Sequence, residues 1–184
     1  MVKATLLVVD DERTLLELYI RRLERLSYKV YPAGSGSEAL EILQRQDIDL
    51  LVTDFKMPGM NGLEVIARAA GIDPMLQSIV VTGYSDLKTA IDVMGAGAFN
   101  YLLKPIDFKE LDLTIEKGLE KRRLLREAQN KQQQLGEYRQ QLEELVENRT
   151  RALTATNLAL KKEIEERKHL EISLREAKVI AENA

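Results

Sequence analysis

The sequence predicts an α/β domain with a parallel sheet, followed by a long helical coiled coil. Three observations lead there. Short apolar runs of strand length alternate with helical patterns over residues 1–106, the rhythm of βαβ units. All four prolines and eight of the ten glycines fall in that stretch. Residues 108–184 contain no proline and only Gly118 and Gly136, and apolar side chains recur along them in heptads.

The elements follow in order. Thr5-Leu6-Leu7-Val8-Val9 is a first strand ending in two carboxylates, Asp10 and Asp11. Glu12 to Leu26 spaces Leu15, Leu16, Leu18, Tyr19, Ile20, Leu23 and Leu26 for a helix. Tyr28 to Ala33 reads as a strand. Ser37 to Gln44 turns Ala39, Leu40 and Leu43 inward, with Ser35 or Ser37 as cap. Ile48-Asp49-Leu50-Leu51-Val52-Thr53 is a buried strand with Asp54 at its tip, and Met57-Pro58-Gly59-Met60-Asn61-Gly62 is a loop of turn formers. Leu63 to Ala70 is the next helix. Ser78 to Val81 is a strand ending in Thr82-Gly83, Asp86 to Met94 a helix, and Phe99 to Leu103 a strand ending in Lys104-Pro105.

The tail has a different grammar. One heptad seam runs Leu124, Ala128, Lys131, Leu135, Tyr138, Leu142, Leu145, Arg149, Ala152. A second runs Leu153, Thr156, Leu160, Arg167, Leu170, Leu174, Ala177, Ala181. The eleven residues from Arg149 to Leu160 insert four into the repeat, a stutter that locally unwinds a supercoil. A fully helical tail would span roughly 115 Å at 1.5 Å per residue. Its apolar stripe needs a partner helix, most simply from a second copy in parallel register. Lys131, Arg149 and Arg167 on the seam, and the polar run Gln129 to Gln134, predict splayed stretches.

Composition narrows the classes. The chain has 184 residues, no cysteine, 45% apolar and 31% charged side chains, and a net charge of −3. That suits a packed, water-soluble domain with no disulfide framework. The opening apolar run is too short for a signal peptide or a membrane span, so a cytoplasmic setting without membrane contact is the expectation. Residues 1–107 carry 11 basic and 15 acidic side chains, and residues 108–184 carry 16 and 15. Neither part has the one-signed basic face of a nucleic-acid binder.

In an open parallel sheet the chemistry sits where the strands end. Asp10, Asp11, Asp54, Thr82 and Lys104 stand at the tips of different strands, which suggests a magnesium and phosphoryl site. Asp10 and Asp11 before Glu12 and Arg13 also suit a plain helix cap. With Asp54 in reach, three crowded carboxylates repel unless a cation joins them. Magnesium wants one or two carboxylates, with waters and phosphate oxygens completing an octahedron. Asp54 is either a third ligand or a nucleophile, since carboxylates attack phosphoryl donors. Lys104 can neutralise a phosphoryl oxygen, and the Thr82 hydroxyl can donate to one. Taken singly, a lysine is a solvated surface charge and a threonine a turn residue.

Together Val9-Asp10-Asp11-Glu12, Thr53-Asp54-Phe55-Lys56-Met57-Pro58-Gly59-Met60-Asn61-Gly62, Val81-Thr82-Gly83 and Leu103-Lys104-Pro105 closely resemble the receiver domains of two-component response regulators. The resemblance covers residues 4 to about 120 and implies a five-stranded, doubly wound, flavodoxin-like sheet of order 2-1-3-4-5. It implies that Asp54 is the phosphoacceptor. Asp10, Asp11 and Asp54 become the magnesium acids, with the Lys56 backbone carbonyl as a further ligand. Thr82 and Lys104 become the phosphate-sensing pair, and Tyr101 the switch aromatic. Lys56 and Tyr84 become positions that tune dephosphorylation. The implied partner is a cognate histidine kinase or phosphotransfer protein.

The tail, with Leu145-Val146-Glu147-Asn148-Arg149-Thr150-Arg151-Ala152-Leu153 and Lys162-Glu163-Ile164-Glu165-Glu166-Arg167-Lys168, is similar to signalling helices that precede sensor or histidine kinase domains. The only histidine, His169, lacks a kinase histidine's surroundings, and no ATP-binding motif is present. The expectation is therefore a receiver over 1–120 and a coil over 121–184, not itself an enzyme. It reports to an output domain or partner, first of all a histidine kinase region outside these residues. A stand-alone dimeric receiver that gates docking is the alternative. A phosphatase resembling haloacid dehalogenases would want an acid where Lys56 stands. Lys121-Arg122-Arg123 with Arg126 is too short for a zipper-type basic region.

Overall fold

A computed structural model describes residues 2–83 and 87–182. Five strands, β1 (Thr5–Val9), β2 (Lys29–Ala33), β3 (Leu50–Asp54), β4 (Gln77–Thr82) and β5 (Asn100–Leu103), alternate with helices. These are α1 (Arg13–Arg25), α2 (Gly36–Arg45), α3 (Gly62–Ile72), α4 (Leu87–Gly95) and α5 (Phe108–Glu182). All strand pairs are parallel, in the order β2-β1-β3-β4-β5. The expected fold and order are met.

The sequence explains why both faces of the sheet are covered. Leu6 and Val8 point to one face of β1, and Leu7 and Val9 to the other, and all four are buried. A strand buried on both faces reads as an unbroken apolar run. Leu7, Val9, Leu51 and Val80 pack with Ala39, Leu43, Val65, Ile66 and Val93 of α2, α3 and α4. Leu6, Val8, Leu50, Val52, Ile79 and Val81 pack with Leu16, Tyr19 and Leu23 of α1 and with Leu111 and Ile115 of α5. Each fully buried Leu, Ile or Val side chain contributes about 1.5–3 kcal/mol relative to leaving it exposed.

Helix starts follow capping chemistry. The Ser35 hydroxyl accepts the Glu38 N–H at 3.3 Å, which selects Ser35 over Ser37 as cap. Asn61 accepts from the Glu64 N–H at 3.0 Å while the Glu64 carboxylate accepts from the Asn61 N–H at 2.9 Å, a capping box. Asp86, the expected start of α4, lies outside the described residues.

Packing divides the chain into Met1–Gln129 and Asn130–Ala184. In the second unit every described side chain is exposed, including Leu135, Tyr138, Leu142, Leu145, Leu153, Leu160, Leu170 and Leu174 on the heptad seams. The side chains of Ala177 and Ala181 lie outside the described set. Pairs such as Arg139–Glu143 and Arg167–Glu163 brace successive turns, each worth only about 0.3–0.5 kcal/mol. No helix among the described residues is long and apolar enough to cross a membrane.

Candidate functional site

Because the strands are parallel and in register, their C-terminal ends share one edge. Val9 pairs with Thr53, Asp54 with Val81 and Thr82 with Leu103. Asp10, Asp54, Thr82 and Lys104 are thereby gathered from four segments far apart in sequence. The Lys104 N–H donates to the Thr82 carbonyl at 2.8 Å, fixing the end of β5 to β4.

Asp54 is 7% exposed. Its Oδ1 lies 2.5 Å from Lys104 Nζ, and its Oδ2 accepts the Lys56 N–H at 2.9 Å. Lys104 Nζ also donates to Asp10 Oδ2 at 3.2 Å, so one ammonium bridges two carboxylates. Asp10 is 2% exposed, and its Oδ1 accepts the Glu12 N–H at 2.9 Å. The residue flanking α1 is Glu12, whose side chain makes no capping bond. Asp10 thus closes the turn before α1 rather than capping it. Asp11 is exposed and shares the wall of a cavity of about 500 Å³ with Asp10, Arg13 and Glu38.

Electrostatics mark the same point. Burial pushes the Asp54 carboxyl above its ordinary value of 3.8, with Lys104 pulling the other way and Asp10 adding to the rise. Burial works against the Lys104 ammonium, yet the hydrogen bond and charge of Asp54, with Asp10 behind it, hold its pKa above 10.5. A buried carboxylate with a raised pKa and a bound ammonium, at the end of a central strand, has the physical marks of a functional group.

The loop after Asp54 is shaped by glycine. A Cβ on Gly62 would collide with the Asp54 carbonyl oxygen, and the Gly62 N–H donates to the Phe55 carbonyl at 3.1 Å. Gly59 has a φ of 78°, in the region glycine favours. Thr82 is 1% exposed at the end of β4. Tyr101, on β5, is half-buried against the cluster that includes Val80 and Val93. Tyr84 lies outside the described residues.

The donor set fits a hard divalent cation. Asp10 and Asp54 each present an oxygen to the Lys104 ammonium, so a positive charge is accommodated between them, and two carboxylates are a usual magnesium complement. No group of three or more His, Cys, Asp or Glu side chains is placed to hold a metal among the described residues; Asp11 lines the adjoining cavity together with Asp10. Sequence reasoning passed over Glu38 and Arg13 in the neighbouring cavity. The Glu38 carboxylate accepts the Gly34 N–H at 2.7 Å, and its four-residue spacing from Gly34 was the available signal.

A family model described as "Response regulator receiver domain" matches residues 6–116. The chain belongs to that family. This receiver is 36% identical to a response regulator receiver domain protein from Clostridium thermocellum, with a TM-score of 0.63 over 66% of this chain and 98% of that one. It is 33% identical to the response regulator TrrA of Thermotoga maritima, solved in complex with Mg(2+)-BeF, with a TM-score of 0.58 over 63% of this chain and 99% of that one. Among curated proteins it is 35% identical over 114 residues, or 62% of this chain, to the transcriptional regulatory protein ZraR of Escherichia coli. It is 39% identical over 119 residues, or 65% of this chain, to the DNA-binding transcriptional regulator NtrC of Azospirillum brasilense. The matches cover 26% and 25% of those two proteins, so the receiver spans about a quarter of their length.

Proposed function

We propose that this receiver takes a phosphoryl group on Asp54 and passes its state through a parallel dimeric coil. Residues 1–120 are assigned to the receiver and 121–184 to the coil. The observation that carries the reading is the buried Asp54 carboxylate, 2.5 Å from Lys104 Nζ and bridged through it to Asp10. One Asp54 oxygen attacks the phosphorus of a phosphohistidine on a cognate histidine kinase or phosphotransfer protein. A P–O bond forms, the P–N bond breaks, and the imidazole leaves with the electron pair and takes a proton. Magnesium, held by Asp10, Asp11, Asp54 and the Lys56 backbone carbonyl, would supply charge neutralisation. Lys104 and the Thr82 hydroxyl hold the phosphoryl oxygens of the product. Tyr101 turns inward as Thr82 moves, and Lys56 and Tyr84 tune hydrolysis.

On this reading the chain is a switch, not an enzyme that turns over a foreign substrate. Phosphorylation adds charge and acceptor oxygens and biases the face built from α4, β5 and the start of α5. The output is a histidine kinase region or docking partner outside this chain. A second reading comes from the matched relatives named as transcriptional regulators, in which the output would act on DNA through residues this chain does not share. The site is tested by incubation with acetyl phosphate and magnesium, followed by mass spectrometry. The wild type gains one phosphoryl group and Asp54→Asn gains none; an unlabelled wild type overturns the reading.

A further inference from the structure

α5 carries a stripe that runs on past the family-matched residues 6–116 and that the proposed switch does not use. Leu111, Ile115, Gly118, Arg122 and Arg126 recur at three- and four-residue spacing on one face. Leu111 and Ile115 are fully buried. At Gly118 the helix touches the sheet, where a Cβ would stand 2.6 Å from Leu50 Cδ1 and 3.3 Å from Phe99 Cδ1. One turn later Arg122 is only 2% exposed.

The Arg122 guanidinium faces three carboxylates. Its Nη2 lies 2.8 Å from Asp73 Oδ2 and 3.5 Å from Asp47 Oδ1, and its Nε 3.7 Å from Asp49 Oδ1. Arg126 follows with contacts of 3.2 Å to Asp47 and 3.8 Å to Asp49. These acids sit just before β3 and β4, at the sheet edge opposite Asp54. Two are held independently of the arginine. Asp49 Oδ2 accepts the Thr5 N–H at 2.9 Å, and Asp73 Oδ1 accepts the Met75 N–H at 2.8 Å. The Arg122 contacts are ion pairs without aligned hydrogen bonds. Their attraction is therefore coulombic, and charge counts for more than fork geometry.

We propose that Arg122, supported by Arg126, is a positioning anchor that fixes the helix from Gly118 to Arg126 onto the strand-entry edge of the receiver. Without it the helix loosens from Gly118 onward, and the receiver's hold on α5 ends near residue 116. With the arginine gone, the like charges of Asp47, Asp49 and Asp73 are no longer offset and repel one another across the strand-entry edge.

The test is amide hydrogen exchange on the full chain. Arg122→Met is expected to raise exchange across 119–127 at least about tenfold, while 108–115 stays within about twofold of wild type. Arg122→Lys keeps the charge and should fall nearer wild type. Asp73→Asn, which retains a hydrogen-bonding side chain, should loosen the same segment and serves if Arg122→Met does not fold. Unchanged rates across 119–127 overturn the anchor, as does an equal rise across 108–115 and 119–127. Equal rates for the lysine and methionine variants overturn its coulombic basis.

Discussion

At the scale of the residue, the protein turns on a carboxylate held where ionisation is costly. Desolvation raises the Asp54 pKa above 3.8. The folded chain therefore binds that proton more tightly than the unfolded chain, and stability falls as pH rises from 3.8 towards the folded value. In the metal-free protein, carbon-detected NMR should place the Asp54 midpoint above 3.8, and saturating magnesium should move it down because a cation favours the charged form. Lys104 has linkage of the same sign at higher pH, although there it is the charged form that the fold favours. Its raised pKa stabilises the fold fully below 10.5, and that contribution is lost as pH climbs through the folded value. Lys104→Gln removes the ammonium between Asp10 and Asp54. Calorimetric titration should then show tighter magnesium binding than wild type, since two uncompensated carboxylates attract the ion more strongly. Asp10, Asp11 and Asp54 were legible as strand-tip acids in the sequence alone. The bridge that Lys104 makes between Asp10 and Asp54 was not, because only the fold brings those distant segments together.

At the scale of the element, short local rules did most of the placing. The capping box at Asn61 and Glu64 starts α3 right after the loop that follows Asp54. Asn61→Ala should lower stability by about 0.5–2 kcal/mol in a urea titration. Gly62→Ala would drive a methyl into the Asp54 carbonyl oxygen; its acyl-phosphate yield should drop by more than its loss of stability accounts for. In the sheet, Leu51 is fully buried in the centre of β3, and Leu51→Ala should cost about 2–5 kcal/mol by denaturant melt. Asn61 read in the sequence only as a loop former, although Glu64 three residues on was the capping signal. Arg122 read only as one cation in a basic run. Its burial depends on acids at 47, 49 and 73 meeting it across the fold, and no local pattern reports such a meeting.

At the scale of the whole molecule, the described residues of the second unit bury no side chain among themselves. Its leucines and Tyr138 are exposed along the heptad seams, and a lone helix of that kind relies on packing against a partner for its stability. Sizing with light scattering should give a dimer. Leu142→Glu with Leu145→Glu should shift it towards monomer while leaving Asp54 labelling by acetyl phosphate intact. A monomeric wild type at tens of micromolar would remove the coil from the account and leave the receiver standing.

What the sequence determined by itself was the alternation of elements, the doubly buried strands, the order of the sheet through its family resemblance, and the candidates at the strand tips. Apolar periodicity and turn chemistry are local, and a parallel sheet brings all its strand ends to one edge. Tertiary structure alone decided which tips converge: Lys104 bridges Asp10 and Asp54. It alone decided that an arginine beyond the receiver's family boundary is buried among three acids. Both outcomes depend on charges from distant segments meeting in a poorly solvated place, where electrostatic energies are large but sequence separation carries no record of them.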